Sequence, residues 1–276
     1  MTDERSGDPS ATEPQAVVVT GAASGIGRAT AARLVAGGRT VVGVDRDEAG
    51  LEGAAGSLGG LFRPVPGDVG ERATHDRAAA EATSAGRLAG WVNAAGIWTP
   101  TRAHDLDDDA VARVLGVNLV GTILGCSVAC RAWLEAGTPG AIVNVSSVES
   151  QAAFPAALAY EASKGGVDAV TRQVAVEYGP AGIRCNAVRP GAIMTPMAEG
   201  YLADAEDREA MIESWRDLAP LGRVGEPEEV ADVIAFLLFE GARFVTGALL
   251  PVDGGADARC YAYPPDPDIV RTPERR

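Results

Sequence analysis

Lysine is nearly missing from this chain: of its 24 basic residues 23 are arginine, and Lys164 is the one exception. A lysine ammonium is compact and shifts its pKa on burial, whereas a guanidinium is a planar fork that stays charged, so a solitary lysine marks a place where arginine would not serve. Positive charge is scarce altogether. Thirty-eight acidic residues stand against those 24, a formal net charge of −14, which repels a phosphate backbone and argues against nucleic acid and anionic membrane surfaces as partners. Aromatic residues make up only 5% of the chain, so its core must be aliphatic. The four cysteines, Cys126, Cys130, Cys185 and Cys260, lack the paired spacing of a metal site and are too few to staple 276 residues. Reduced thiols, no bound metal and a cytoplasmic location are the expectation. Long apolar runs are absent as well. The longest uncharged stretch, between Arg113 and Arg131, has 17 residues and contains Asn118, Thr122 and Ser127, against the roughly 20 apolar residues a bilayer span needs. It reads as a deeply buried helix.

What the chain does have is 46% hydrophobic residues and 34 glycines, the profile of a soluble α/β protein. Residues 1–15 are polar, without the apolar run of a signal peptide, and are expected to be disordered. From residue 16 short β-branched runs alternate with alanine-rich segments, the signature of repeated βαβ units and a parallel sheet of about seven strands with helices on both faces. Strands are predicted at Ala16–Thr20, Thr40–Val44, Leu61–Val65, Gly90–Asn93, Ala141–Val145, Ile183–Val188 and Ala248–Val252. They are apolar on both faces, as strands between two helix layers should be. Helices are predicted near Ile26–Ala36, Glu71–Ala85, Asp107–Glu135, Leu158–Tyr178 and Pro227–Phe239. The reading is one Rossmann-type, doubly wound domain over residues 16–255, followed by a proline-rich C-terminal extension, residues 256–276.

Directly after the first strand comes Thr20-Gly21-Ala22-Ala23-Ser24-Gly25-Ile26-Gly27, then a helical pattern. Glycines 21, 25 and 27 let the backbone turn tightly and approach a pyrophosphate, while the helix N-terminus offers free N–H groups to it, Ser24 and Ile26 lying in the same turn. An acid about twenty residues on, Asp45, ends the second strand. Its carboxylate can accept hydrogen bonds from adenosine ribose hydroxyls, whereas a 2′-phosphate at about 4 Å would be repelled by ~4 kcal/mol at an effective dielectric near 20. NAD is therefore expected over NADP, although Arg46 next door could partly rescue a phosphate.

Tyr160 and Lys164 are four apart in a helical segment and share one face. A phenol is a poor base at neutral pH, but an adjacent ammonium and a positively charged nicotinamide both favour its phenolate. Tyr160 is thus a candidate general base. Ser147 follows the strand Ala141–Val145, so its hydroxyl should emerge at the carboxyl edge of the sheet, where open α/β folds bind ligands, and there stabilise charge on a substrate oxygen.

The pattern Gly-x-x-x-Gly-x-Gly, joined by Asn93-Ala94-Ala95-Gly96, Ser147 and Tyr160-Glu161-Ala162-Ser163-Lys164, resembles the short-chain dehydrogenase/reductase family. Gly67-Asp68-Val69, Asn118, Arg189-Pro190-Gly191 with Thr195, Gly222-Arg223-Val224-Gly225-Glu226-Pro227 and Val252-Asp253-Gly254-Gly255 extend the likeness from about residue 16 to 255. One departure is Ala94, where the family often has a second asparagine. The resemblance implies that Asp68 and Val69 border the adenine, Asn93 and Gly96 the ribose side, and Pro190, Gly191, Ile193 and Thr195 the nicotinamide end. It also implies that Asn118 holds a water linking Lys164 to solvent, that Lys164 holds the ribose, and that two long helices pair across a subunit boundary in a homo-oligomer, a tetramer.

The activity so implied is hydride transfer between NAD and a small-molecule secondary alcohol or ketone. A 3-oxoacyl thioester reductase using NADPH and a non-catalytic dinucleotide-binding regulator are the alternatives; Asp45 speaks against the first, the intact Tyr160, Lys164 and Ser147 against the second. Substrate is expected against Val148–Pro155, Trp98 and Thr195–Leu221, where Met197, Tyr201, Met211 and Trp215 form either an apolar lid for a ring-bearing alcohol or helix core. Glu149, two residues after Ser147, either bonds a second hydroxyl of a diol or faces water. The extension is read either as an arm reaching a neighbouring subunit or as a solvated tail.

Overall fold

The computed structural model describes residues 14–259. Disorder is expected over residues 1–15, but Gln15 opens the first strand and pairs with Arg87; residues 1–13, Cys260 and the extension beyond Arg259 lie outside the described residues. Among the described residues seven strands form one parallel sheet in the order β3-β2-β1-β4-β5-β6-β7. They are β1 (Gln15–Thr20), β2 (Thr40–Asp45), β3 (Phe62–Pro66), β4 (Arg87–Asn93), β5 (Gly140–Val145), β6 (Ile183–Pro190) and β7 (Leu249–Val252). Chain order reverses between β1 and β4, which opens a crevice beyond the carboxyl ends of the strands.

The two-sided apolar runs do what they should. Val17 and Val19 of β1 pack with Leu34, Val230 and Ile234 on one face, while Ala16 and Val18 pack with Trp91, Cys126 and Trp133 on the other. The first layer holds α1 (Gly25–Ala36), α2 (Glu48–Leu58) and α9 (Pro227–Leu238); the second holds α3 (Arg72–Ala85), α5 (Gly121–Ala136) and α6 (Leu158–Tyr178), with α4 (Asp108–Leu115) against α6. Two short helices, α7 (Pro196–Ala203) and α8 (Arg208–Leu218), follow β6.

Three expectations need correction. The helix expected over Asp107–Glu135 is interrupted by a π turn at Gly116–Val120. The segment Asp108–Ala136 is long and apolar enough by composition to cross a membrane, yet it is not deeply buried: one face packs inward through Cys126, Cys130 and Trp133 while Val120, Ile123 and Leu134 are exposed. Sequence periodicity also missed α2, which Asp47 caps by accepting the Gly50 N–H, and left α7 and α8 as an unspecified stretch.

Candidate active site

The crevice is a single cavity of about 710 Å³ running from the end of β2 to the segment that follows β7. At one end lies the glycine turn. Gly21 has φ +71°, and a side chain there would strike the backbone of Ala95 at 2.8 Å; a Cβ on Gly27 would lie 2.1 Å from the Gly21 carbonyl oxygen. Only glycine lets the turn close this tightly between β1 and α1. Ser24 caps α1 in extended conformation without a side-chain bond, and the first helical turn carries no acid, so its N–H groups and positive dipole end are available to an anion. Asp45 is held at the same end, its Oδ2 accepting from Ala23 N and its Oδ1 from Asp47 N, both at 3.1 Å. This cradle fits a dinucleotide pyrophosphate and its ribose.

Every residue assigned to the cofactor on sequence grounds lines this cavity except Asn93. Gly21, Ser24, Gly25, Ile26, Gly27, Asp45, Arg46, Asp68, Val69, Gly96, Tyr160, Lys164, Pro190, Gly191, Ile193 and Thr195 all do. Asn93 is buried and turned into the sheet: its Oδ1 accepts from Trp91 Nε1 at 3.0 Å and its Nδ2 donates to Asn144 Oδ1 at 2.8 Å. It joins β4 to β5, and its amide is spent inside the sheet and not on the cavity. The Ala94 departure is made good by Thr20, whose hydroxyl oxygen accepts from both Ala94 N and Ala95 N. Thr195 caps α7 by accepting from Ala198 N, while its methyl faces Gly25 across the cavity.

At the other end Ser147, Tyr160 and Lys164 converge. Ser147 ends the run from β5 and opens a 3₁₀ turn, Val148–Ser150, by accepting from Glu149 N at 3.1 Å. A Ser147 hydrogen bond to Tyr160 works to lower the phenol's pKa, but burial and the nearby Glu149 outweigh it and push the phenol well above its usual value. Lys164 is buried, donates to the Val145 carbonyl at 2.8 Å and lies 5.4 Å from the Tyr160 ring centre. Burial holds its ammonium down to about 8, with Glu149 and Asp168 pulling the other way. Glu149 itself is lifted to about 7, by burial first and then by Glu161, while Lys164 opposes. Its Oε2 is shielded from solvent without a hydrogen-bond partner, so it does not simply face water.

Asn118 sits on the π turn just behind the cavity wall. Its amide accepts from Ile97 N at 2.8 Å and donates to the Ile97 carbonyl and to Ser163 Oγ, fastening the loop after β4 to α6 beside Lys164. Its carbonyl takes the Thr122 hydroxyl. Of the expected lid residues, Met197, Tyr201 and Trp215 line the cavity and Met211 does not. Tyr201 stands between Trp98 and Trp215, with ring centres 5.0 and 6.0 Å apart. Sequence reasoning missed Asp253, Asp257 and Arg259, which also border the cavity; Asp257 is tied to Gln151 Nε2 and Arg259 to the Asp217 carbonyl.

Comparison with known proteins agrees with this arrangement. A family model described as enoyl-(acyl carrier protein) reductase matches residues 21–257. Cis-4-hydroxycyclohexanecarboxylate dehydrogenase of Sinomonas cyclohexanicum is 42% identical over 248 residues, 87% of this chain and 96% of that protein. The solved 3-ketoacyl-(acyl-carrier-protein) reductase from Brucella melitensis, complexed with NADH, superposes with a TM-score of 0.81 at 35% identity, covering 88% of this chain and 98% of that one. Actinorhodin polyketide ketoreductase with NADPH gives 0.83 at 32% identity, covering 89% and 98%. The chain therefore belongs to the short-chain dehydrogenase/reductase family, oxidoreductases that act on CH–OH groups with a nicotinamide dinucleotide.

Proposed function

We propose that this protein is an NAD-dependent secondary-alcohol dehydrogenase, a carbonyl reductase in reverse. The observation that carries the reading is one cavity with Asp45 and the glycine turn at one end and Ser147, Tyr160 and Lys164 at the other. The dinucleotide, when bound, supplies or accepts the hydride; the turn before α1 holds its pyrophosphate and Asp45 its adenosine ribose. Ser147 orients the substrate oxygen, and Tyr160 Oη moves the proton. Burial keeps the phenol protonated, the form that donates to a ketone oxygen. For alcohol oxidation the phenol must first lose that proton to solvent, which the Lys164 ammonium, 5.4 Å from the ring centre, favours; the phenolate then takes the proton of the substrate hydroxyl. Asn118 acts as a positioning residue for the loop after β4.

A ring-bearing alcohol suits the aromatic wall of Trp98, Tyr201 and Trp215, and the Sinomonas relative is named for a cyclohexane substrate. Reduction of a 3-oxoacyl thioester is the second reading, favoured by the name of the Brucella protein; Asp45 stands against the NADPH that reductive biosynthesis usually draws on. Two separate apolar faces, Val120, Ile123 and Leu134 on one side and Phe236 and Phe244 on another, support a homotetramer with two kinds of two-fold contact. Buried, unpaired Cys126, Cys130 and Cys185 suit the reducing cytoplasm. The test is to offer the purified protein NAD with a panel of cyclic and linear secondary alcohols and follow NADH absorbance. Tyr160→Phe should abolish turnover while NADH binding persists; a variant keeping a tenth of the wild-type kcat would exclude the proton-transfer role.

A further inference from the structure

We propose that Glu149 is a specificity-determining residue whose carboxyl takes a second hydroxyl of the substrate, so that the cleft selects a cyclic diol or its hydroxyketone over a ring with a lone alcohol. This rests on the dehydrogenase reading above. The 3₁₀ turn after β5 places Glu149 two residues beyond Ser147, with its N–H bonded to Ser147 Oγ, so the backbone of one residue is pinned to the hydroxyl of the other. Glu149 lines the cavity together with Tyr160 and Lys164, and its carboxyl acts electrostatically on both. The second hydroxyl is therefore one that neighbours the reacting carbon.

Neither charged neighbour satisfies this carboxyl. Lys164 Nζ is given to the Val145 carbonyl, and Glu161 Oε1 takes the Phe154 N–H. Glu149 Oε2 is shielded from water with no partner, an arrangement that loses solvation without return; because the residue lines the cavity, a turn of its carboxyl toward a bound hydroxyl relieves it. A group lifted to about 7 exists in good part as a neutral acid near neutral pH. A neutral acid both donates and accepts, which matches a hydroxyl better than an ammonium. The rest of the same cavity is apolar and flat where Tyr201 meets Trp98 and Trp215, a wall suited to the C–H face of a ring.

The experiment compares kcat/KM for cyclohexanol and for cis- and trans-cyclohexane-1,2-diol, with either NAD or NADP, in wild type, Glu149→Ala and Glu149→Gln. The diol-to-monool ratio cancels changes in the chemical step common to all these alcohols. Wild type should favour one of the diols by about tenfold or more, and Glu149→Ala should bring that ratio to about one. Glu149→Gln, whose amide still gives and takes, should keep it within about threefold of wild type. A merely structural role would lower kcat/KM for all the alcohols together and leave the ratio standing. Diol titrations read by the fluorescence of Trp98 and Trp215 give a second, activity-free measure. Turnover of cyclohexanol with a wild-type ratio near one overturns the Glu149 proposal and spares the dehydrogenase. Absence of turnover with diol binding that Glu149→Ala weakens overturns the dehydrogenase and upholds Glu149 as a hydroxyl-binding group. Absence of turnover with diol binding unchanged in Glu149→Ala overturns both.

Discussion

Asparagine at position 45 should change which dinucleotide the protein accepts, by an amount the structure bounds. The Asp45 carboxylate cannot swing away from an incoming 2′-phosphate, because Ala23 N and Asp47 N each hold one of its oxygens at 3.1 Å. A phosphate about 4 Å away meets ~4 kcal/mol of repulsion at an effective dielectric near 20. Asp45 is half-exposed, so solvent and salt screening leave about half of that, roughly a 30-fold penalty. Hydrogen bonds from the ribose hydroxyls of NAD to a charged acceptor add ~1.5–3 kcal/mol. The wild type should therefore favour NAD by about 100-fold or more in kcat/KM. Asp45→Asn removes the charge but keeps an acceptor for the Ala23 N–H, so it should narrow the gap by about 30-fold, chiefly by lowering the KM for NADP. Asp45→Ala should narrow it similarly and also cost ~1–3 kcal/mol of stability, since the N–H of buried Ala23 loses its partner. Melting temperature then falls by about 2–4 °C per kcal/mol, as for a domain of this size. Initial rates with the two cofactors and thermal melts of the three proteins measure all of this. A wild type that already prefers NADP, or an unchanged ratio in Asp45→Asn, would refute the reasoning and hand cofactor choice to the exposed Arg46.

Stability should depend on pH through Glu149. Its carboxyl is lifted from 4.5 to about 7, so the folded chain holds a proton that the unfolded chain has released. The stabilisation is full below pH ~4.5 and is lost as pH rises through about 7. Glu161, Lys164 and Tyr160 face the same group, and all three are retained in Glu149→Gln. The melting temperature of wild type relative to Glu149→Gln should therefore fall between pH 5 and pH 8; a flat difference contradicts the burial argument. In light scattering at micromolar concentration the protein should run as a tetramer, and Ile123→Asp or Val176→Asp, on exposed apolar positions of α5 and α6, should yield smaller species. A clean wild-type monomer would refute the oligomer.

The sheet was legible because its strands are continuous apolar runs flanked by turn residues, and the misplaced edges have local causes. β4 begins at Arg87, three residues before its expected start, because the charge of Arg87 disguises a residue whose N–H is already bonded to Pro14. Helix α2 was hidden by Gly50, Gly53 and Gly56, which lower helix propensity without preventing a helix that Asp47 caps and buried Leu51 and Ala54 anchor. The π turn at Gly116–Val120 has no residue signature at all, yet it sets the Asn118 amide against Ile97. Motif spacing located the glycine turn, Asp45, Ser147, Tyr160 and Lys164, since each is fixed by local strand-to-helix geometry. It could not say which way a side chain points. Asn93 belongs to a motif whose neighbours line the cavity, but it pairs in register with Thr20 inside the sheet and spends its amide on Trp91 and Asn144. Asp253 and Asp257 reach the cavity because β7 lies beside β6, a pairing between segments some sixty residues apart that periodicity does not encode. Glu149 shows the same limit most sharply. Residue type and position allowed either a ligand or a solvated surface acid, and what separates the two is a shell of neighbours, Lys164, Glu161 and Tyr160, each engaged elsewhere or held at a distance. An unsatisfied group can be recognised only when all of its candidate partners are in view, and that is why Glu149, like the direction of the Asn93 amide, had to await the fold while the glycine turn, Asp45, Ser147, Tyr160 and Lys164 did not.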